Sequence, residues 1–194
     1  ENGQNPILNY IKNSNADIVC MQEYAGSETA KIHLSNKEIR QALKDYPYHN
    51  IKQVGKTGAG SQLACYSKFP ILSARMLDYR SNYNGSMVYE IKIGKDTVLL
   101  INNHLESNKL TREDKVVYED MLKDPKAGKV KSGVRQLVNK LAEASAIRSA
   151  QARTIAQEIA HSPYPSVIVC GDFNDSPISY AHRVISQDMD DAFT

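Results

Sequence analysis

Val167-Ile168-Val169-Cys170-Gly171-Asp172-Phe173-Asn174 joins a continuously apolar, β-branched run to a short polar tetrad. Bounded by Pro165 and Gly171, the run has the composition of a short buried strand. Glycine ends the strand and lets the backbone turn. By strand alternation, Asp172 and Asn174 then project to one side and Phe173 to the other. A carboxylate and a carboxamide held together at a strand end can position a water molecule, a metal ion or a phosphate oxygen. Gly-Asp alone would be an ordinary turn. The full tetrad arises by chance in roughly one chain in a thousand of this length, so it is the sharpest motif present.

Two further strand ends carry chemistry-bearing groups. Asp17-Ile18-Val19-Cys20-Met21-Gln22-Glu23 runs from a turn through an apolar strand to Glu23. Val98-Leu99-Leu100-Ile101 is continuously apolar, reads as a central strand, and leads directly into Asn102-Asn103-His104. Ligand-binding and catalytic groups gather where strands of a rigid sheet give way to loops. Singly, a glutamate after a strand is an ordinary solvated group and a histidine there an ordinary structural residue. The three ends together point to one site.

The remaining pattern supplies the frame. Asn5 to Asn13 reads as a helix begun by Pro6, and residues 33–45 as a second, closed by Tyr46-Pro47. A glycine-rich turn, Gly55 to Gly60, precedes the strand Gln62 to Tyr66, and Ser67-Lys68-Phe69-Pro70-Ile71 bends into another extended piece. Met87 to Ile93 and Thr97 to Asn102 form a hairpin through Gly94-Lys95-Asp96. Residues 112–123 read as a helix, and a lysine-rich link leads to a long helical pattern from about Val134 to Ile159. The 105–165 gap is too long and too helical to be one loop. Hairpin strands mixed with returning helices favour a layered α/β sandwich of largely antiparallel sheets over a doubly wound parallel sheet.

Composition sets limits. The 194 residues suit one domain; 41% apolar and 24% charged residues with a net charge of +2 mark neither a nucleic-acid nor a membrane binder as a whole. No stretch approaches the roughly 20 apolar residues of a membrane span. Cys20, Cys65 and Cys170 are odd in number, each in an apolar stretch, and read as buried thiols rather than a disulfide or zinc framework. Lys109, Arg112, Lys115, Lys123, Lys126, Lys129, Lys131 and Arg135 concentrate positive charge in the helical segment. Interleaved with Glu113, Asp114, Glu119 and Asp120, they read as a solvated face; the functional alternative is attraction of a polyanionic substrate or an anionic membrane surface.

The three blocks, in their order and spacing, resemble signature blocks of the endonuclease/exonuclease/phosphatase superfamily. Ser67 to Ile71, Arg148 with Gln151, and Asp191-Ala192-Phe193 are softer matches. The resemblance implies a DNase I-like α+β fold, a four-layer α/β/β/α sandwich of two mixed, largely antiparallel sheets with outer helices. Residues 1–194 would form a single, incomplete domain with a helical insertion at about 106–147.

It further implies divalent-metal-dependent hydrolysis of phosphate esters, as a phosphodiesterase or nuclease-type reaction. Glu23 would bind Mg²⁺ or Mn²⁺, and Asp172 would orient or activate the attacking water. Asn174 would donate to a phosphate oxygen, and His104 would contact the phosphate or assist proton transfer. Asn102 and Asn103 would shape the strand end. The substrate could be nucleic acid, a phospholipid head group or an inositol phosphate.

Family members also carry an asparagine on the first strand and a terminal Asp-His, commonly Ser-Asp-His. The chain is expected to be truncated at both ends relative to that pattern, since neither Asp190-Asp191 nor His182 sits in such a context. Some members of a bacterial branch carry membrane helices before the domain, so a tethered full-length protein is compatible with the resemblance, and location is open. Two alternatives of other classes are a non-catalytic phosphate-ligand or partner-binding module on the same fold, and a helical interaction protein built on residues 112–160.

Overall fold

The apolar arm Val98–Ile101 lies inside a four-stranded sheet, where continuous burial requires an apolar residue on both faces. The computed structural model describes residues 5–26, 34–55, 61–79, 81–123 and 130–192. His33, the glycine-rich turn beyond Gly55, Lys126 and Lys129 of the basic link, and Phe193 lie outside the described residues. In chain order the elements are α1 (Pro6–Ser14), β1 (Ile18–Met21), α2 (Asn36–Ala42), β2 (Tyr48–Gln53), β3 (Gln62–Ser67) and β4 (Ile71–Met76). They continue with β5 (Gly85–Ile93), β6 (Asp96–His104), α3 (Arg112–Lys123), α4 (Val130–Ala160), β7 (Ser166–Asp172) and α5 (Tyr180–Ile185).

One sheet has the order β1-β3-β2 and is antiparallel throughout. The other has the order β4-β5-β6-β7, antiparallel except for the parallel pair β6–β7. This is the α+β class expected: two largely antiparallel sheets with flanking helices. Because β7 runs parallel to β6, the chain between them must cross over, and the crossover contains α3 and α4.

The chain divides into two compact units, residues 1–104 with 158–172, and residues 105–157 with 173–194. Both sheets belong to the first unit. Along β3 the side chains alternate between two cores. Ala64 and Tyr66 pack with Ile11 of α1 and with Ile39, Leu43 and Tyr46 from α2 and the segment after it. Leu63 and Cys65 face the other way, against Met87, Tyr89 and Ile91 of β5 and Leu100 of β6. The helices covering the first sheet start where their caps dictate. Asn5 accepts from the amides of Ile7 and Leu8, with Pro6 in the first turn. Ser35 and Glu38 form a capping box.

In the second unit, Thr111 and Asp114 cap α3 reciprocally, and Asp114 also takes the ammonium of Lys140 from α4 at 2.5 Å. Lys109, within the basic stretch, is ion-paired with Glu106, whose side chain is buried. No helix among the described residues is long and apolar enough to cross a membrane.

Several expectations need correction. β2 is a full strand where the sequence pattern shows none. It is an edge strand among the described residues, and its sequence, Tyr-His-Asn-Ile-Lys-Gln, is mostly polar, with exposed residues at both ends, so no apolar run or clean alternation marks it. The helix expected over 33–45 is described only as Asn36–Ala42, because Ser35 supplies its N-cap. The strand of the opening motif is not fully buried: β7 is the last strand of its sheet among the described residues, and Ile168 is 45% exposed. Of the three thiols only Cys65 is fully buried, with Cys20 and Cys170 half-buried.

Candidate active site

Glu23, His104 and Asp172 converge in the first unit. His104 ends β6 and pairs in register with Asp172 at the end of β7, which fixes the two backbones side by side. The imidazole Nε2 lies 4.0 Å from Glu23 Oε1 and 4.0 Å from Asp172 Oδ2. Those two carboxylate oxygens are therefore no more than twice that distance apart. Burial differs sharply across the trio: the His104 side chain is 5% exposed, that of Asp172 52% and that of Glu23 79%. A ring held inside the sheet end thus presents one nitrogen toward two solvent-facing carboxylates.

The backbone at these positions is unusual. Glu23 has φ 51° and Asn174 φ 50°, both in the left-handed region that non-glycine residues rarely adopt. Gly171, at φ 131°, also packs so closely on Asn103 that an added Cβ would overlap the Asn103 backbone. Residues held in such conformations cluster at functional sites, where the surrounding structure over-determines them.

The supporting bonds explain how. Asn102 is fully buried; its Oδ1 accepts from Gln22 Nε2 at 2.7 Å, and its Nδ2 donates to Ala64 O at 3.3 Å. That single side chain ties β6 to the strands of the other sheet, one residue from Glu23. Asn103 Oδ1 accepts from Ser86 Oγ at 2.5 Å, and its Nδ2 donates to the Cys170 carbonyl at 3.0 Å. Tyr24, just after Glu23, donates its amide to Gln62 O at 3.0 Å. His104 Nδ1 lies 3.3 Å from Ser61 Oγ.

Asn174 belongs to the second unit. Strand alternation stops at Asp172, so the geometry expected from a two-residue repeat does not extend to Asn174. Its Nδ2 donates to the Leu105 carbonyl at 3.0 Å, which commits one of the two carboxamide hydrogens. Arg148, 4% exposed, holds the same region. Its guanidinium donates to Glu106 O at 2.8 Å, Asn108 Oδ1 at 2.8 Å and Asp175 Oδ2 at 2.9 Å. The neighbouring Gln151 Oε1 accepts from the Glu106 amide at 2.9 Å.

Among the described residues no group of three His, Cys, Asp or Glu side chains is arranged to hold a metal ion by itself. An exposed carboxylate with a second one nearby is the donor set of an ion that keeps most of its water. That fits Mg²⁺ or Mn²⁺, which often take one or two protein carboxylates, better than an ion requiring a full protein cage.

The model of the Endonuclease/Exonuclease/phosphatase family matches residues 2–192. The chain belongs to that family. No curated protein gives a significant sequence match. Among solved structures, sphingomyelinase C from Streptomyces griseocarneus matches with a TM-score of 0.58 at 18% identity, over 93% of this chain and 61% of that one. Truncated TDP2 from Caenorhabditis elegans matches with a TM-score of 0.52 at 21% identity, over 88% of this chain and 54% of that one. A beta toxin from Staphylococcus aureus matches with a TM-score of 0.55 at 15% identity, over 95% of this chain and 60% of that one. These likenesses are of fold, the DNase I-like fold. The chain spans between 54% and 61% of these proteins' own lengths.

Within this endonuclease/exonuclease/phosphatase chain, motif reading does not find Ser61 or Ser86, and it gives Gln22 no role although the first block contains it. Each is a common polar residue, and only long-range pairing reveals its partner. Arg148 and Gln151 carry a soft signal as polar positions inside a helical pattern. His182 Nε2 and Asp191 Oδ2 are paired at 3.1 Å, but on α5 and the turn after it rather than at a strand end.

Proposed function

We propose that the full-length protein is a divalent-metal-dependent phosphodiesterase, with Glu23, His104, Asp172 and Asn174 as its site residues. The observation that carries this reading is the placement of the Glu23 and Asp172 carboxylates near one imidazole nitrogen, each 4.0 Å away. Glu23 offers hard oxygen donors to Mg²⁺ or Mn²⁺; such an ion, when bound, offsets negative charge on the phosphoryl oxygens.

The chain's own groups do the rest. Asp172 accepts a hydrogen bond from the attacking water and orients it toward phosphorus. His104 Nε2–H donates to a phosphoryl oxygen, and its buried ring holds that direction without reorganisation. Asn174 keeps, as a proposal from the family resemblance, the role of donor to a phosphate oxygen. The substrate class is a phosphodiester of nucleic acid, a phospholipid head group or an inositol phosphate, and the shared core favours none of these.

The test uses full-length protein and bis(p-nitrophenyl) phosphate with Mg²⁺ or Mn²⁺. His104→Ala and Asp172→Asn should each lower kcat by about 10²–10⁴-fold, the usual span for a lost acid–base or charge-stabilising group. Wild-type turnover in both variants, or a wild-type protein inert toward every phosphodiester with metal present, would overturn the assignment.

A further inference from the structure

The structure assigns Ser61 as a positioning residue that holds the buried ring of His104 through Nδ1, leaving Nε2–H aimed at the two carboxylates. It deepens the proposed site and takes His104 as part of it, but its main readout does not depend on turnover.

Ser61 precedes β3 and is fixed on both sides of its backbone. Its carbonyl accepts from the Val54 amide at 2.9 Å, and its own amide donates to Tyr83 O at 3.1 Å. The next residue, Gln62, accepts from the Tyr24 amide, which ties the same segment to the turn carrying Glu23. The hydroxyl oxygen then sits 3.3 Å from His104 Nδ1. His104 itself is buried and its backbone is locked between β5 and β7, opposite Gly85 and Asp172.

A neutral imidazole carries one N–H, and its other nitrogen must accept. Two carboxylates near Nε2 favour the hydrogen there, because it points positive charge toward them. Nδ1 then needs a donor, and a serine hydroxyl can rotate to supply one. Ser61 therefore fixes the direction of the ring, with Nδ1 held by the hydroxyl and Nε2 facing the two carboxylates.

The experiment is nitrogen-detected NMR of His104 in full-length, ¹⁵N-histidine-labelled protein, without metal and with Mg²⁺ added. Wild type should show Nε2 protonated and Nδ1 as a hydrogen-bonded acceptor. In Ser61→Ala the Nδ1 resonance should move toward that of an unbonded ring nitrogen, and Ser61→Thr should restore it. If the enzyme is active, Ser61→Ala should lower kcat on the order of 10-fold with KM little changed, as for loss of an outer partner of an active-site histidine. A protonated Nδ1 in wild type, or an unchanged His104 spectrum in folded Ser61→Ala, overturns the proposal. If Ser61→Ala does not fold, Ser61→Cys is read by the same criterion. A wild type that shows the expected spectrum but no phosphodiesterase activity would defeat the proposed function and leave this inference standing.

Discussion

The backbone carbonyl oxygen of Asn103 occupies the space a Cβ on residue 171 would need, which is why the residue facing it is Gly171. The requirement is doubled, since φ at Gly171 is 131°, outside the range of L-residues with side chains. Gly171→Ala must push β7 away from β6 or strain the backbone. Strain and overpacking together should cost roughly 3 kcal/mol. For a domain of this size, that corresponds to a fall in Tm on the order of 10 °C. The displacement would occur between His104 and Asp172, so activity should fall further than stability. Thermal unfolding and kcat on the purified variant measure both; a Tm within 2–3 °C of wild type, about 1 kcal/mol, would contradict the packing argument.

A second dependence runs between sheets. Asn102 is fully buried and joins Gln22, Ala64 and Met21; no apolar substitute can replace its donors and acceptor, because two backbone carbonyls and the Gln22 amide all turn inward to meet it. Asn102→Ala should destabilise by about 2 kcal/mol through unsatisfied groups. Gln22→Ala should cost less, because Gln22 is only half-buried. A double-mutant cycle between them should show coupling near 1 kcal/mol. Strict additivity in denaturant unfolding would mean that the 2.7 Å bond does not contribute.

The two-sheet class and the three strand ends are legible in the sequence, for a physical reason. Apolar runs such as Val98–Ile101 are dictated by burial on both faces, and the polar residues that interrupt them have few roles other than a cap or a site. The edge strand β2 escaped because solvent tolerates almost any residue there. Ser61 escaped because its significance lies in a contact 43 positions away in sequence, at His104. Asn174 shows the limit of periodicity: two residues after Gly171-Asp172 the strand has ended, and a left-handed backbone at φ 50° sets the side chain instead.

Arg148 is the pivot of the second unit's loops. It makes three bonds of 2.8–2.9 Å to Glu106, Asn108 and Asp175 and is almost wholly buried. Arg148→Met should cost roughly 3 kcal/mol, mostly by leaving the Asp175 carboxylate without its partner. Arg148→Lys should recover little, because an ammonium cannot span three acceptors in the fork geometry of a guanidinium. Amide hydrogen exchange should rise at residues 105–109 and 174–176 in both variants. Unchanged protection there would show that those loops are held by other contacts.

The cysteines yield a prediction about reactivity. Cys20 pairs in register with Cys65 across β1 and β3, and Cys170 on β7 joins the same core. The bond from Cys170 lowers the Cys20 thiol, but the bond to Cys65 and burial outweigh it and push the thiol well above its ordinary value. Cys170 is raised by its bond with Cys20 and then by burial. A thiol so raised is protonated at neutral pH, and the thiol form is a poor nucleophile. Native protein should therefore leave Cys20 and Cys170 unmodified by dithionitrobenzoate or iodoacetamide at pH 8, with Cys65 shielded by its full burial, and denatured protein should label all three, as mapped by peptide mass spectrometry. The sign of the linkage follows. Because the folded state holds the Cys20 and Cys170 protons more tightly, the stability they contribute is complete below the ordinary thiol range and is lost as alkaline pH rises toward the folded values. Unfolding midpoints in urea should fall between pH 8 and 10 (about one unit either side of the ordinary thiol value), and Cys170→Ala should flatten that slope. Rapid labelling of native Cys20 or Cys170 at pH 8 would show that the strand ends open far more often than the packing between the sheets implies.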